Sequence, residues 1–210
     1  MSLARFRQAI SSYLSIENSI KSLENLTESE ADMFLFHHSI ASPSLSYRDI
    51  RNIFPRFVPE TFSRKAHIFV EKGFYCTKRR GLYELTEGGE QEKSRTLSAL
   101  KNPTPQSADD YLTIKGERNQ SDLTDTEFDL LVFFFFYKRK QIGYYKHIQK
   151  DFPNYYPETI SRAAQKLKQR GYLTTLLNRG PHYHITEQGR VKLRKLLKKL
   201  SIGLQKNETQ

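Results

Sequence analysis

The sequence predicts a mainly α chain with small β-hairpins (α+β): two tandem domains of one plan, joined by a linker, with long amphipathic terminal helices. Three observations predict it. The stretch Pro59-Glu60-Thr61-Phe62-Ser63-Arg64 returns as Pro157-Glu158-Thr159-Ile160-Ser161-Arg162. Each copy is punctuated alike, by a proline upstream (Pro55, Pro153) and a glycine downstream (Gly73, Gly171). The flanks also match in order: Leu26-Thr27, Glu30 and Asp32 with Leu123-Thr124, Glu127 and Asp129, and Leu85-Thr86-Glu87-Gly88-Gly89 with Ile185-Thr186-Glu187-Gln188-Gly189. Ordered matches over most of each half mark an internal duplication.

Taken in order, residues 1–25 carry Leu3, Phe6, Ile10, Tyr13, Leu14, Ile20 and Leu23 at spacings of three and four, the stripe of an amphipathic helix. Residues 26–100 form the first domain. Thr27 and Glu30 make a capping box, a helix follows with Met33, Phe34, Phe36 and Ile40 apolar, and Ser42-Pro43-Ser44 breaks it. After a short strand, a second helix runs from about Tyr47 to Phe54. The repeated stretch then opens a third helix, because proline suits the first helical position and glycine the exit. Phe74 to Thr77 and Leu82 to Leu85 read as a hairpin with Lys78-Arg79-Arg80-Gly81 at its tip, and a polar helix runs on to about Leu100. Residues 101–122 read as a linker, from Lys101-Asn102-Pro103-Thr104-Pro105-Gln106; a short helix from Ser107 is conceivable, but Gly116 limits it. Residues 123–204 repeat the plan and end in a helix from Arg190 to about Ile202, with Val191, Leu193, Leu196, Leu197 and Leu200 on one side. Residues 205–210 are a tail.

Charge is unevenly placed. The whole chain of 210 residues carries +11; residues 26–100 hold 11 Lys/Arg against 10 Asp/Glu, whereas residues 123–210 hold 17 against 7. A basic half of +10 suits a polyanionic partner or simply a soluble basic surface. A single cysteine, Cys76, excludes a disulfide framework and a cysteine-rich zinc site. The longest apolar run, Leu130 to Tyr137, is too short to span a membrane, and the N-terminus reads as a patterned helix in place of a signal segment, so a cytoplasmic protein is expected. No nucleophile–base set, phosphate loop or paired catalytic carboxylates occur, so neither an enzyme nor a cofactor is expected.

Helix, short strand, helix, turn, third helix and two-stranded hairpin make a winged helix-turn-helix. The leading Leu-Thr-x-x-Glu, the Thr-x-Ser-Arg, the arginine at the hairpin tip and the closing Leu-Thr-x-x-Gly resemble the MarR family and its SarA-type branch, over residues 26–100 and 123–200. Two such domains in one chain resemble the tandem members of that branch. That resemblance implies a transcriptional regulator binding double-stranded DNA, with the repeated helices as recognition helices. One feature departs from the family: its wing carries Asp-x-Arg, whereas Lys78-Arg79-Arg80-Gly81 and Asn178-Arg179-Gly180-Pro181 have no acid at the tip.

The candidate DNA contacts are Glu60, Thr61, Ser63, Arg64, Lys65 and His67 on the first recognition helix, and Glu158, Thr159, Ser161, Arg162 and Gln165 on the second. Arginine donates bidentately to guanine and Gln165 could pair with adenine, while Ser and Thr hydroxyls suit phosphates. Glu60 and Glu158 either read cytosine N4 or favour the helix N-terminus. Wing candidates are Lys78, Arg79, Arg80, Arg179 and His182, which suit phosphates or a narrow minor groove, or else form ordinary charged tips. Tyr47, Arg48, Arg51, Tyr145, Lys146 and Lys150 are further candidate phosphate contacts.

Other groups read as structural. The Phe133-Phe134-Phe135-Phe136 run suits core and interdomain packing, since one surface cannot cover four successive helical positions. His37-His38 and His182-x-His184 lack a third metal ligand. Cys76 reads as a buried structural thiol, with a redox sensor as the other reading. The terminal helices suit packing or a homodimer, in preference to a membrane surface. The expected action is that of a fused pseudo-dimer on a pseudo-palindromic site. The rival readings are a plasmid or phage replication initiator with tandem winged helices, and a winged-helix protein-interaction module.

Overall fold

The computed structural model describes residues 3–40, 44–53, 59–136, 148–149, 152, 155–175 and 183–196. The chain divides into two compact units, residues 15–120 and residues 1–14 with 121–210. It is mainly helical, with one three-stranded and one two-stranded antiparallel sheet among the described residues. Helix α1 (Leu3–Lys21) gives residues to both units.

The unit of residues 15–120 continues from the end of α1 into α2 (Glu28–Ile40), β1 (Ser44–Ser46), α3 (Tyr47–Ile53), α4 (Pro59–Glu71), β2 (Tyr75–Arg79), β3 (Leu82–Leu85), α5 (Glu87–Ala99) and α6 (Pro105–Gln120). The sheet order is β1-β3-β2, with Leu45 opposite Tyr83 and Tyr83 opposite Thr77. Its core is aromatic: Phe34 and Phe74 flank Phe69 with ring centroids 5.1 and 5.6 Å away, and Tyr75 lies 4.8 Å from Phe69. The buried His37 ring sits 2.8 Å from the Tyr75 hydroxyl, which satisfies both polar groups in an apolar setting.

Residues 105–120, expected as linker, form α6. Pro105 opens the helix, and the Thr104 hydroxyl accepts from the Ser107 N–H at 3.1 Å. Lys101 and Asn102 make the preceding turn at φ 63° and 51°. The inward stripe is Ala108, Tyr111, Leu112, Lys115 and Arg118, all buried against the unit. Two charged members hide that stripe from a hydrophobicity pattern, and Gly116 is buried within the helix without stopping it. The charges are matched. Lys115 Nζ lies 2.7 Å from Asp32 and 2.5 Å from Glu28, and Arg118 lies 2.8 Å from Glu17. Tyr111 OH stands within donating distance of both Glu17 (3.1 Å) and Asp32 (3.0 Å).

The second unit joins residues 3–14 of α1 to α7 (Asp125–Phe136), α8 (Pro157–Gln169), β4 (Leu173–Thr175), β5 (Tyr183–Ile185) and α9 (Glu187–Leu196). Helix α7 is wrapped by α1, α8, β5 and α9, so a helix apolar on all sides is at home there. The core role expected for the phenylalanine run is met: Phe133, Phe134 and Phe135 are all buried, against Phe152, Tyr183 and Phe6 respectively. Phe136 is half-buried. In α9, Leu193 is buried but Val191 is exposed, and the helix beyond Leu196 lies outside the described residues.

Two local devices recur in both units. At the α7 start, Glu127 accepts from the Thr124 N–H at 2.9 Å and Thr124 Oγ1 accepts from the Glu127 N–H at 3.3 Å, a complete capping box. At α2 only half forms: Glu30 accepts from the Thr27 N–H, while the Thr27 hydroxyl donates to that same carboxylate, which also receives Lys72 Nζ at 2.7 Å. The second device explains the closing Thr-x-x-Gly. Thr86 Oγ1 donates to the Gly73 carbonyl at 2.5 Å and accepts from Gly89 N–H at 3.0 Å; Thr186 does the same with Gly171 (2.6 Å) and Gly189 (3.0 Å). Gly73 and Gly171 sit at φ 72° and 74°, where glycine is unstrained. A Cβ on Gly89 would lie 2.1 Å from the Phe74 carbonyl oxygen, and one on Gly189 would lie 2.3 Å from that of Tyr172.

A third correspondence crosses between the repeats. Asp129, fully buried, accepts from Tyr13 of α1 at 2.5 Å and from Tyr155 at 2.6 Å. Its counterpart Asp32 is served by Tyr111 of α6. Each repeat thus takes its tyrosine from the helix that precedes the other repeat in sequence.

Candidate nucleic-acid interface

The two copies of the repeated stretch begin α4 and α8. In α4, Phe62, Ala66 and Phe69 are buried, which at helical spacing turns Glu60, Ser63, Arg64 and His67 to solvent; Lys65 is half-buried. Thr61 lies in the first turn of α4. In α8, Ile160, Ala163, Ala164 and Leu167 are buried, and Glu158, Thr159, Arg162 and Gln165 are exposed, with Ser161 half-buried. Each unit therefore presents the same Glu and Arg from the opening turns of a helix anchored by an apolar stripe. Arg64 and Arg162 form no ion pair among the described residues, so their guanidinium donors are uncommitted.

The first unit adds cations around α4. Arg48 and Arg51 on α3 are exposed; Tyr47 is half-buried, with its ring 6.1 Å from Phe62. Asp49 caps α3 by accepting from Ser46 N–H at 2.9 Å. On the hairpin, Lys78, Arg79 and Arg80 are all exposed, and Gly81 turns the tip at φ 75°. The pairing shifts between Thr77 and Arg79, which ends the regular ladder just before the arginines.

An acid serves this hairpin after all, from the opposite strand. Glu84 pairs with Lys78 at 2.9 Å, and that hydrogen bond and charge raise the lysine pKa above its ordinary value. Arg79 and Arg80 have no such partner among the described residues. The tip reading missed Glu84 because it lies three residues past Gly81; the cross-strand register, with Cys76 opposite Glu84, supplies the signal. Cys76 itself is exposed, which corrects the expectation of a buried thiol. Strand alternation is the cause: Tyr75 points into the aromatic core, so its neighbour must point out.

In the second unit Tyr145, Lys146, Lys150, Arg179 and His182 lie outside the described residues. Lys166 is exposed along α8, while Arg170 and Lys192 both lie against Asp122, at 3.7 and 2.6 Å. Among the described residues no group of three His, Cys, Asp or Glu could hold a metal ion, and no helix is long and apolar enough to cross a membrane. No protein-family model matches this chain, and no curated protein matches it in sequence.

Proposed function

We propose that the chain is a sequence-specific regulator of transcription that binds double-stranded DNA, with a winged helix-turn-helix in each unit, similar to the tandem members of the SarA-type branch of the MarR family. The observation that carries this reading is the paired presentation of α4 and α8. In two units assembled from different parts of the chain, one short stretch starts a helix, buries Phe62 or Ile160, and turns Glu60 and Arg64, or Glu158 and Arg162, to solvent. A helix that begins sharply at a proline and offers arginine from its first two turns suits the floor of a major groove. Arg64 and Arg162 donate to guanine O6 and N7. Ser63 and Thr159 suit phosphate, and Gln165 suits adenine. The exposed arginines of α3 and the hairpin suit the flanking backbone. The copies differ beyond the shared arginine (Lys65 and His67 against Ala163 and Gln165), so the two half-sites are unlike.

The test is selection of bound fragments from random duplex DNA by the full chain, followed by anisotropy titrations on the winning site. Log affinity is expected to fall linearly with log salt, by about 0.9 for each phosphate neutralised. Arg64→Ala and Arg162→Ala are each expected to cost about 1–3 kcal/mol and to relax base preference at one position of different half-sites. Absent or salt-insensitive DNA binding refutes the reading and favours a protein partner.

A further inference from the structure

Position 156 breaks two local rules at once. Tyr156 is the N-cap residue of α8, in extended backbone at φ −68° and ψ 148°, yet its side chain caps nothing. Serine, threonine, aspartate or asparagine there would satisfy a first-turn N–H. The ring is also 75% exposed, and among the described residues only Val191, at 40%, joins it as an exposed large apolar side chain. Its neighbour makes the contrast sharp. Tyr155 stacks on Phe152 at 5.4 Å and donates to Asp129 at 2.6 Å, so the fold itself employs that ring and hydroxyl. The Tyr156 carbonyl accepts from Ile160 N–H at 3.1 Å, but its side chain has neither a hydrogen bond nor a ring contact among the described residues. A side chain that forgoes a cap and holds an aromatic ring in water gains nothing inside the chain, so its gain lies in a partner.

The surroundings identify that partner. Thr159, Arg162 and Lys166, all exposed, follow Tyr156 at helical spacing. Arg162 and Lys166 form no ion pair among the described residues, so the strip that Tyr156 heads is cationic and its complement anionic. Along a major groove the thymine 5-methyl is the apolar group that base edges offer. We infer that Tyr156 reads a thymine at the edge of the α8 half-site through contact between its ring and that methyl group. The inference rests on the DNA-binding reading above. It also separates the half-sites further, because the residue before the other copy of the stretch is Val58, which has no ring.

The experiment pairs protein and DNA changes on the site selected by the full chain. The α8 half-site is located by the position at which Arg162→Ala relaxes preference. Each thymine in it is then replaced in turn by deoxyuridine, which removes only the methyl group. At one thymine the native chain and Tyr156→Phe should both lose about fourfold in affinity, the worth of one methyl group returned to water. Tyr156→Ala should bind the native site at least fourfold more weakly and be indifferent to that deoxyuridine. Its thermal melting should be nearly unchanged, since the side chain is 75% exposed and makes no hydrogen bond or ring contact among the described residues. A native chain indifferent to every deoxyuridine in the half-site overturns the inference, as does a deoxyuridine penalty that persists in Tyr156→Ala. Both results would leave the regulator reading standing. A native chain that selects no DNA sinks that reading first, and this one with it.

Discussion

Replacing Glu17 by Gln tests what holds α6 in place. Glu17 is 1% exposed and lies 2.8 Å from Arg118 and 3.0 Å from Lys21. Burial by itself would raise the carboxyl; Arg118, Lys115 and Lys21 together outweigh it and hold the group at about 2, against 4.5 for a free side chain. At about 1.4 kcal/mol per pKa unit, that difference is about 3 kcal/mol of stability linked to ionisation of this one group. A depressed carboxylate contributes fully above its unfolded value near 4.5 and loses its contribution as pH falls toward 2. At pH 3 less than half of it should remain. The amide removes the charge and takes the 2.8 Å anion from buried Arg118, with Glu28 still 3.3 Å away; losing a buried partner costs up to about 3–5 kcal/mol at pH 7. The gap between native chain and Glu17→Gln should therefore narrow by about 2 kcal/mol between pH 7 and pH 3. Burial pushes the Asp32 carboxyl upward and the Glu17 charge adds to that rise, so the amide also eases Asp32 and makes the narrowing somewhat smaller than this. The assay is urea unfolding followed by circular dichroism at the two pH values. At a slope of about 1–3 kcal/mol per molar, the midpoint at pH 7 should fall by at least about 1 M. An equal loss at both pH values, or a loss under about 1 kcal/mol at pH 7, would refute the ion cluster as the restraint on α6.

Two further outcomes follow from the packing. Gly89→Ala and Gly189→Ala should each destabilise by about 1–3 kcal/mol or more, because the new methyl meets a backbone carbonyl that no side-chain rotation can clear; Gly88→Ala, whose Cβ finds nothing nearer than 3.6 Å, should be far milder in the same thermal melts. A fragment of residues 15–120 should unfold cooperatively, whereas residues 26–100, which lack Glu17, Tyr111, Lys115 and Arg118, should not. Equally sharp transitions in the two fragments would show that α6 is dispensable.

The elements that local chemistry dictates were legible in the sequence. Prolines 59 and 157 open α4 and α8, glycines 73 and 171 close their exits, and the Thr-x-x-Gly pairs mark the turn into α5 and α9. What was hidden depends on neighbours distant along the chain. Helix α6 escaped because two positions of its inward stripe are Lys115 and Arg118, whose burial is tolerable only opposite Glu17, Glu28 and Asp32. The phenylalanine run looked too apolar for one surface because nothing local announces that α7 is covered on several sides. Glu84 escaped for want of a register, and Tyr156 because an exposed aromatic reads in a sequence like a core residue.

The exchange of leading helices lies deeper still. Tyr13 stands ahead of Asp32 at nearly the spacing by which Tyr111 stands ahead of Asp129, so the duplication invites pairing each tyrosine with the acid that follows it. The hydrogen bonds run the other way, Tyr13 to Asp129 and Tyr111 to Asp32. A buried carboxylate demands a donor, and a repeated sequence guarantees that acid and donor both recur. It does not say which copy serves which, since both pairings satisfy every local rule. That choice is made by the reach of the connections and by what else each helix must bury. Because α6 carries Lys115 and Arg118, which need the acids of α1 and α2, whereas α1 brings Phe6 to Phe135, the two leading helices cannot trade places without stranding charge. Equivalent in sequence order, they have become specific to opposite repeats.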